Sequence, residues 1–174
     1  MRWITALNLQ TWADTLSARS VFPGMVADLI RASARDISAI RFPNGDKGQV
    51  RGFDGVLEAT GVPPYVPDGA SIWEFGVSAD AIAKANLDFE KRSKEVDDAR
   101  REQTTFVFVT PRTWNNGNEK IVDWVSAKRN LGQWKDVVYL DGSMVEDWLS
   151  RSPAVAARYA RFELQLLQIG RAHV

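Results

Sequence analysis

The sequence predicts an α/β domain in which a mixed β-sheet is flanked by helices. Three observations predict it. The run Thr104-Thr-Phe-Val-Phe-Val-Thr110 is apolar almost without interruption, as a central strand covered on both faces requires. From Ser71 onward, strand-like and helix-like segments alternate, the pattern of neighbouring strands joined by crossover helices. Ahead of that alternation, Val50 to Ala59 and Ser71 to Val77 flank a Pro- and Gly-rich loop in hairpin fashion.

Taken in order, a first helix is expected from about Leu9 to Ser17 and a second from Phe22 to about Ala34. The second carries Met25, Val26, Leu29 and Ile30 at helical spacing, with Pro23 in its first turn. Asp36 to Phe42 reads as a strand or connector, and Pro43-Asn-Gly-Asp46 as a turn. Three prolines stiffen the loop Gly61-Val-Pro-Pro-Tyr-Val-Pro-Asp-Gly69. Ser78 is placed to cap a long charged helix from about Ala79 to Arg100. Beyond the 104–110 strand come a loop over Pro111 to Gly117, a helix near Glu119 to Arg129 and a buried strand from Asp136 to Leu140. Helices near Ser143 to Leu149 and Pro153 to Leu167 complete the series, Pro153 suiting a first helical position.

Composition narrows the function classes. The 174 residues suffice for one domain with a real core, and 45% apolar with 25% charged residues is ordinary for a globular protein. A formal net charge of zero removes any global basic field, so nucleic-acid binding needs a local patch. With no Cys there is no disulfide, thiolate zinc site or Cys nucleophile. No stretch reads as a signal peptide or membrane span, so a cytoplasmic protein without a membrane partner is expected. The one His, His173, lies in Ile169-Gly-Arg-Ala-His-Val174, which resembles a translated sequencing-library adapter. Residues 1–168 are accordingly read as a single domain and 169–174 as a non-native tail, with the native chain expected to continue. Histidine general-base mechanisms and His triads then drop out.

The chemistry points to two acids. Asp54 and Glu74 each sit among large apolar side chains, in Arg51-Gly-Phe-Asp-Gly-Val-Leu-Glu58 and Ser71-Ile-Trp-Glu-Phe-Gly-Val77. Burying a carboxylate is costly unless it is paired or holds a cation. Period-two alternation puts Asp54, Val56 and Glu58 on one face, and Ile72, Glu74 and Gly76 on one face of the second strand. Gly55 and Gly76 leave room beside each acid, as close approach of a phosphate or cation needs. Two such acids with the backbone carbonyl after Glu74 supply hard oxygen ligands for Mg²⁺ or Mn²⁺. The plainer alternative is a pair of hydrogen-bonded or solvent-facing acids at strand ends.

An ordered series of blocks carries a family resemblance. They are Arg41-Phe-Pro-Asn-Gly-Asp46, Gly52-Phe-Asp-Gly55, Val66-Pro-Asp-Gly-Ala-Ser-Ile-Trp-Glu-Phe-Gly76, Lys84-Ala-Asn-Leu-Asp-Phe-Glu-Lys-Arg92 and Phe106-Val-Phe-Val-Thr-Pro-Arg-Thr-Trp114. Over roughly Leu9 to Ala160 the chain resembles the restriction-endonuclease-like, or PD-(D/E)XK, superfamily. More narrowly it resembles an Mrr-like nuclease module found at the N-terminus of bacterial antiphage-defence proteins. The resemblance implies a restriction-endonuclease-like core and a Mg²⁺- or Mn²⁺-dependent DNA endonuclease, with Asp54 and Glu74 as metal ligands. It also implies DNA as a partner, a homo-oligomeric assembly, and a sensor or NTPase region in the rest of the native polypeptide.

The family pattern places a Lys two residues after the second acid, where this sequence has Gly76. Lys84, early in the next helix, is the natural replacement and the third catalytic candidate. Helical spacing sets Lys84, Asp88, Lys91 and Arg92 near one face; the alternative for Lys84 and Asp88 is an exposed i,i+4 ion pair. Asp28 and Glu58 join Asp88 as secondary acids, Asp28 because related nucleases carry an acid on that helix. Arg51, Lys91, Arg92 and Arg112 are candidate phosphate contacts, and Trp114 a base-stacking residue. Asp46 and Lys47 border the first strand and share that candidacy. Most of the seven Trp residues, Trp124 and Trp148 above all, read as core. The competing function class is a catalytically inactive module of the same fold that binds nucleic acid or mediates oligomerisation.

Overall fold

The computed structural model describes residues 2–42 and 53–166. Two helices open the chain, α1 (Ala6–Trp12) and α2 (Ala18–Ser33). Thr5 starts α1 through a reciprocal cap: its hydroxyl accepts from the Asn8 N–H while the Asn8 side chain accepts from the Thr5 N–H. Both helices start earlier than the spacing predicts, and Pro23 lies inside α2 rather than in its first turn. The apolar stripe of α2, with Phe22, Met25, Val26, Leu29 and Ile30, is wholly buried.

Five strands form one sheet in unbroken order: β1 (Ile37–Arg41), β2 (Gly55–Ala59), β3 (Gly69–Phe75), β4 (Thr104–Val109) and β5 (Asp136–Leu140). The first three make an antiparallel meander, and β3, β4 and β5 run parallel. All six residues of β4 are buried, as its apolar run predicts for a strand between two neighbours. The crossover from β3 to β4 carries α3 (Ala81–Glu95) and α4 (Asp98–Arg101), and that from β4 to β5 carries α5 (Ile121–Asn130). Helices α6 (Gly142–Ser150) and α7 (Pro153–Phe162) follow.

The helix expected to run unbroken to Arg100 is in fact two. Val96 turns extended and buries its side chain, and the Asp97 carboxylate accepts from the Arg100 N–H to begin α4. Its start also differs, since Asp80 rather than Ser78 caps α3, accepting from the Ala83 N–H at 3.0 Å.

The sheet separates two cores. On one face Leu57, Trp73, Phe75 and Val107 pack with α1, α2, α6 and α7 through Leu9, Phe22, Met25 and Trp148. On the other, Ile72, Phe106 and Phe108 pack with α3 and α5 through Phe89 and Trp124. Both Trp124 and Trp148 are core, as expected. Among the described residues no helix is long and apolar enough to cross a membrane.

Candidate active site

The two acids meet across β2 and β3. Gly55 pairs with Trp73, so Asp54, one residue before β2, stands opposite Glu74. Alternation turns both toward the α3 side of the sheet, the face of Ile72 and Phe108. Asp54 is fixed by the Phe75 N–H, which donates to its carboxylate at 3.1 Å. Glu74 is only 1% exposed. Burial, then the Asp54 charge and a hydrogen bond to the Asp54 carboxylate, push the Glu74 carboxyl up to about 9, and Arg92 only partly offsets them.

Helix α3 supplies the countercharges. Lys84, Asp88 and Arg92 recur every four residues and so share one helix face. The Lys84 ammonium donates to both Asp88 carboxylate oxygens at 2.6 Å. Asp88 is buried, which raises its pKa; Lys84 opposes that rise, and the neighbouring Asp54 charge adds to it. One turn on, Arg92 is buried as well: its Nε donates to Glu74 and its Nη1 to Glu95 at 2.6 Å. Its guanidinium also lies 5.3 Å from the Phe53 ring centroid.

Gly76 explains how Lys84 reaches this wall. A Cβ at Gly76 would stand 2.7 Å from Phe108 Cζ and 3.0 Å from Lys84 Cγ. The Lys84 stem thus lies across the space that a side chain two residues after Glu74 would fill. The room beside Gly55 is likewise taken by protein: a Cβ there would stand 2.4 Å from the Phe42 ring. Neither glycine leaves the open approach for phosphate that the sequence suggests; each admits a side chain instead.

The remaining candidates scatter. Glu58 is exposed at the far end of β2, paired with Ala70 rather than with the acid cluster. Asp28 faces α7, accepting from the Tyr159 hydroxyl at 2.6 Å and pairing with Arg31 and Arg158 at 3.5 Å. Arg92, expected at the DNA, is consumed by Glu74 and Glu95. Arg112 is buried too, donating to the Val77 carbonyl at 2.9 Å and to Asp14 at 2.8 Å, so it braces three segments and offers nothing to a phosphate. Trp114 packs edge-on to Tyr139 at 5.0 Å and donates its indole N–H to the Glu119 carbonyl, which removes it as a free stacking platform. Lys91 stays on the outer side of α3, 4.0 Å from Glu95. Arg51, Asp46, Lys47, the Pro43–Asp46 turn and His173 lie outside the described residues.

Nothing in the sequence alone pairs Glu74 with Arg92. The four-residue recurrence at 84, 88 and 92 is the nearest signal, but spacing alone does not say which cation of Lys91 and Arg92 turns inward. A large open groove, about 1220 Å³, runs along the free edge of β5, lined among others by Pro63, Pro64, Val66, Val125, Tyr139 and Met144. It contains neither acid and lies apart from the charged cluster.

Two facing carboxylates at a buried wall are a hard-oxygen donor set that suits Mg²⁺ or Mn²⁺. Among the described residues no group of three or more acidic, His or Cys side chains is arranged to hold a metal ion, so Asp54 and Glu74 would have to be completed by water and backbone. Compared with family models, curated proteins and solved structures, the chain matches none.

Proposed function

We propose that this chain is a metal-dependent DNA endonuclease module with a restriction-endonuclease-like core, the effector part of a larger bacterial defence protein. One observation carries the reading: Asp54 and Glu74 face each other on one side of the sheet, and the Lys84 stem passes Gly76 to reach Asp88, whose carboxyl feels the Asp54 charge. An acid before a hairpin, a second acid on the returning strand and a lysine from the following helix are the set that the restriction-endonuclease-like resemblance implies for phosphodiester hydrolysis. When bound, a divalent ion would polarise the phosphate and ease deprotonation of the attacking water.

The chain's own residues do the rest. Asp54 and Glu74 would hold the cation, with Glu74 giving up its proton as it does so. Lys84 would leave one oxygen of Asp88 to meet negative charge building on the phosphate oxygens. Water would attack phosphorus in line, releasing a proton to solvent as the new P–O bond forms, while the bond to the leaving sugar oxygen breaks and that oxygen takes a proton from solvent. The other oxygen of Asp88 keeps the lysine ammonium aimed while this proceeds.

The test is cleavage of supercoiled plasmid with Mg²⁺ or Mn²⁺ by the wild type, Asp54→Ala and Glu74→Ala, each also as a crosslinked dimer. Metal-dependent nicking lost in both variants is expected. Duplex binding without cleavage in either oligomeric form would instead support a second reading, an inactive nucleic-acid-binding or oligomerisation module. That reading is favoured by the full engagement of the Lys84 ammonium with Asp88.

A further inference from the structure

We propose that Arg92 is a positioning residue of the cation site, one that fixes the orientation of the Glu74 carboxylate. The inference rests on the reading of Asp54 and Glu74 as cation ligands. Arg92 was expected on the DNA surface; its burial and its bond to Glu74 require another role.

The geometry limits what that role is. Arg92 Nε donates to one oxygen of Glu74, so that carboxylate cannot rotate freely and its other oxygen is left for the Asp54 side. The guanidinium is itself held from behind by Glu95 and from the side by the Phe53 ring. Phe53 adjoins Asp54 in sequence, and the Arg100 guanidinium lies 5.1 Å from the same ring. Side chains held from three directions keep their orientation, which is how outer partners tune ligands that touch a metal.

Arg92 also ties two carboxylates together, Glu74 through Nε and Glu95 through Nη1, so the orientation of Glu74 depends on a guanidinium that is itself anchored. A Lys at position 92 keeps the charge but lacks the planar fork that bridges Glu74 and Glu95, so it separates orientation from charge.

The experiment is Mn²⁺ binding by electron paramagnetic resonance, with Mn²⁺ alone as the probe and no DNA present. Wild type, Arg92→Lys, Arg92→Gln, Glu95→Gln and Asp54→Asn are compared, each with a thermal melt. Wild-type binding abolished by Asp54→Asn is expected, with Arg92→Lys weakening it about 10- to 100-fold while still melting cooperatively. Glu95→Gln, which loosens the guanidinium from its exposed side, should weaken binding in the same direction without threatening the fold. Unchanged or tighter Mn²⁺ binding in folded Arg92→Lys and Glu95→Gln overturns the proposal alone. A wild type that binds no Mn²⁺, or binds it regardless of Asp54→Asn, overturns the cation site itself and the proposal with it.

Discussion

At the scale of single residues, Glu74 carries the sharpest pH signature. In the fold its carboxyl is pushed up to about 9, whereas in the unfolded chain it ionises near 4.5. Between those values the unfolded chain has lost a proton that the native state keeps. The stability this group lends is therefore full at low pH, falls as pH rises and levels off beyond the native value. Urea unfolding in metal-free buffer should show that decline between about pH 5 and about pH 9, and Glu74→Gln should flatten it. A wild-type profile as flat as the variant's would mean Glu74 is ionised in the native state. Arg112 makes a contrasting case. Arg112→Ala leaves the Val77 carbonyl without its donor and removes the tie to the exposed Asp14, and a loss of about 1–3 kcal/mol is expected in denaturant titrations. Its position just after β4 suggested a phosphate contact, because nothing local marks Asp14 as its partner. Asp54 and Glu74 were legible for the opposite reason: an acid among aromatic neighbours is anomalous within its own segment.

At the scale of elements, the site depends on how α3 lies over the end of β3. Gly76→Ala would press a methyl into Phe108 and the Lys84 stem. A destabilisation of about 1–3 kcal/mol is expected by calorimetry, as for overpacking elsewhere, and Lys84→Ala should relieve part of it by removing one of the two obstacles. Equal losses with and without Lys84 would assign the whole effect to Phe108. The strands β4 and β5, the helix α6 and the start of α7 were readable from apolar runs and Pro153 alone, since short, locally patterned elements declare themselves, whereas α7 stops at Phe162 instead of continuing toward Leu167. The break between α3 and α4 was not readable. Ser93-Lys-Glu-Val-Asp97 has helix-tolerant residues throughout, and the break follows from burying Val96 and from the Asp97 cap. The inward turn of Arg92 was hidden for a related reason, because adjacent cations on a helix differ only by the tertiary surface they meet.

At the scale of the whole molecule, one sheet joins two cores, so neither should melt alone. Phe22 anchors one and Phe89 the other, with edge-on contacts to Phe75 at 5.8 Å and to Phe106 at 5.2 Å. Phe22→Ala and Phe89→Ala should each cost about 3–5 kcal/mol, and in both variants circular dichroism and Trp fluorescence should trace one coincident transition. Separated transitions in either would show that the layers unfold independently. The placement of β3 between an antiparallel and a parallel neighbour also bears on timing. Its pairing with β2 closes a short loop and brings Asp54 to Glu74, whereas its pairing with β4 must wait for the long crossover that carries Lys84 and Arg92. The acidic half of the site thus closes over the shorter stretch of chain and the basic half over the longer. Until α3 docks, two neighbouring carboxylates repel each other with no cation to relieve them, which penalises the meander on its own. The same charges that would bind a metal therefore make early strand pairing reversible, and bind completion of the sheet to the arrival of its helix.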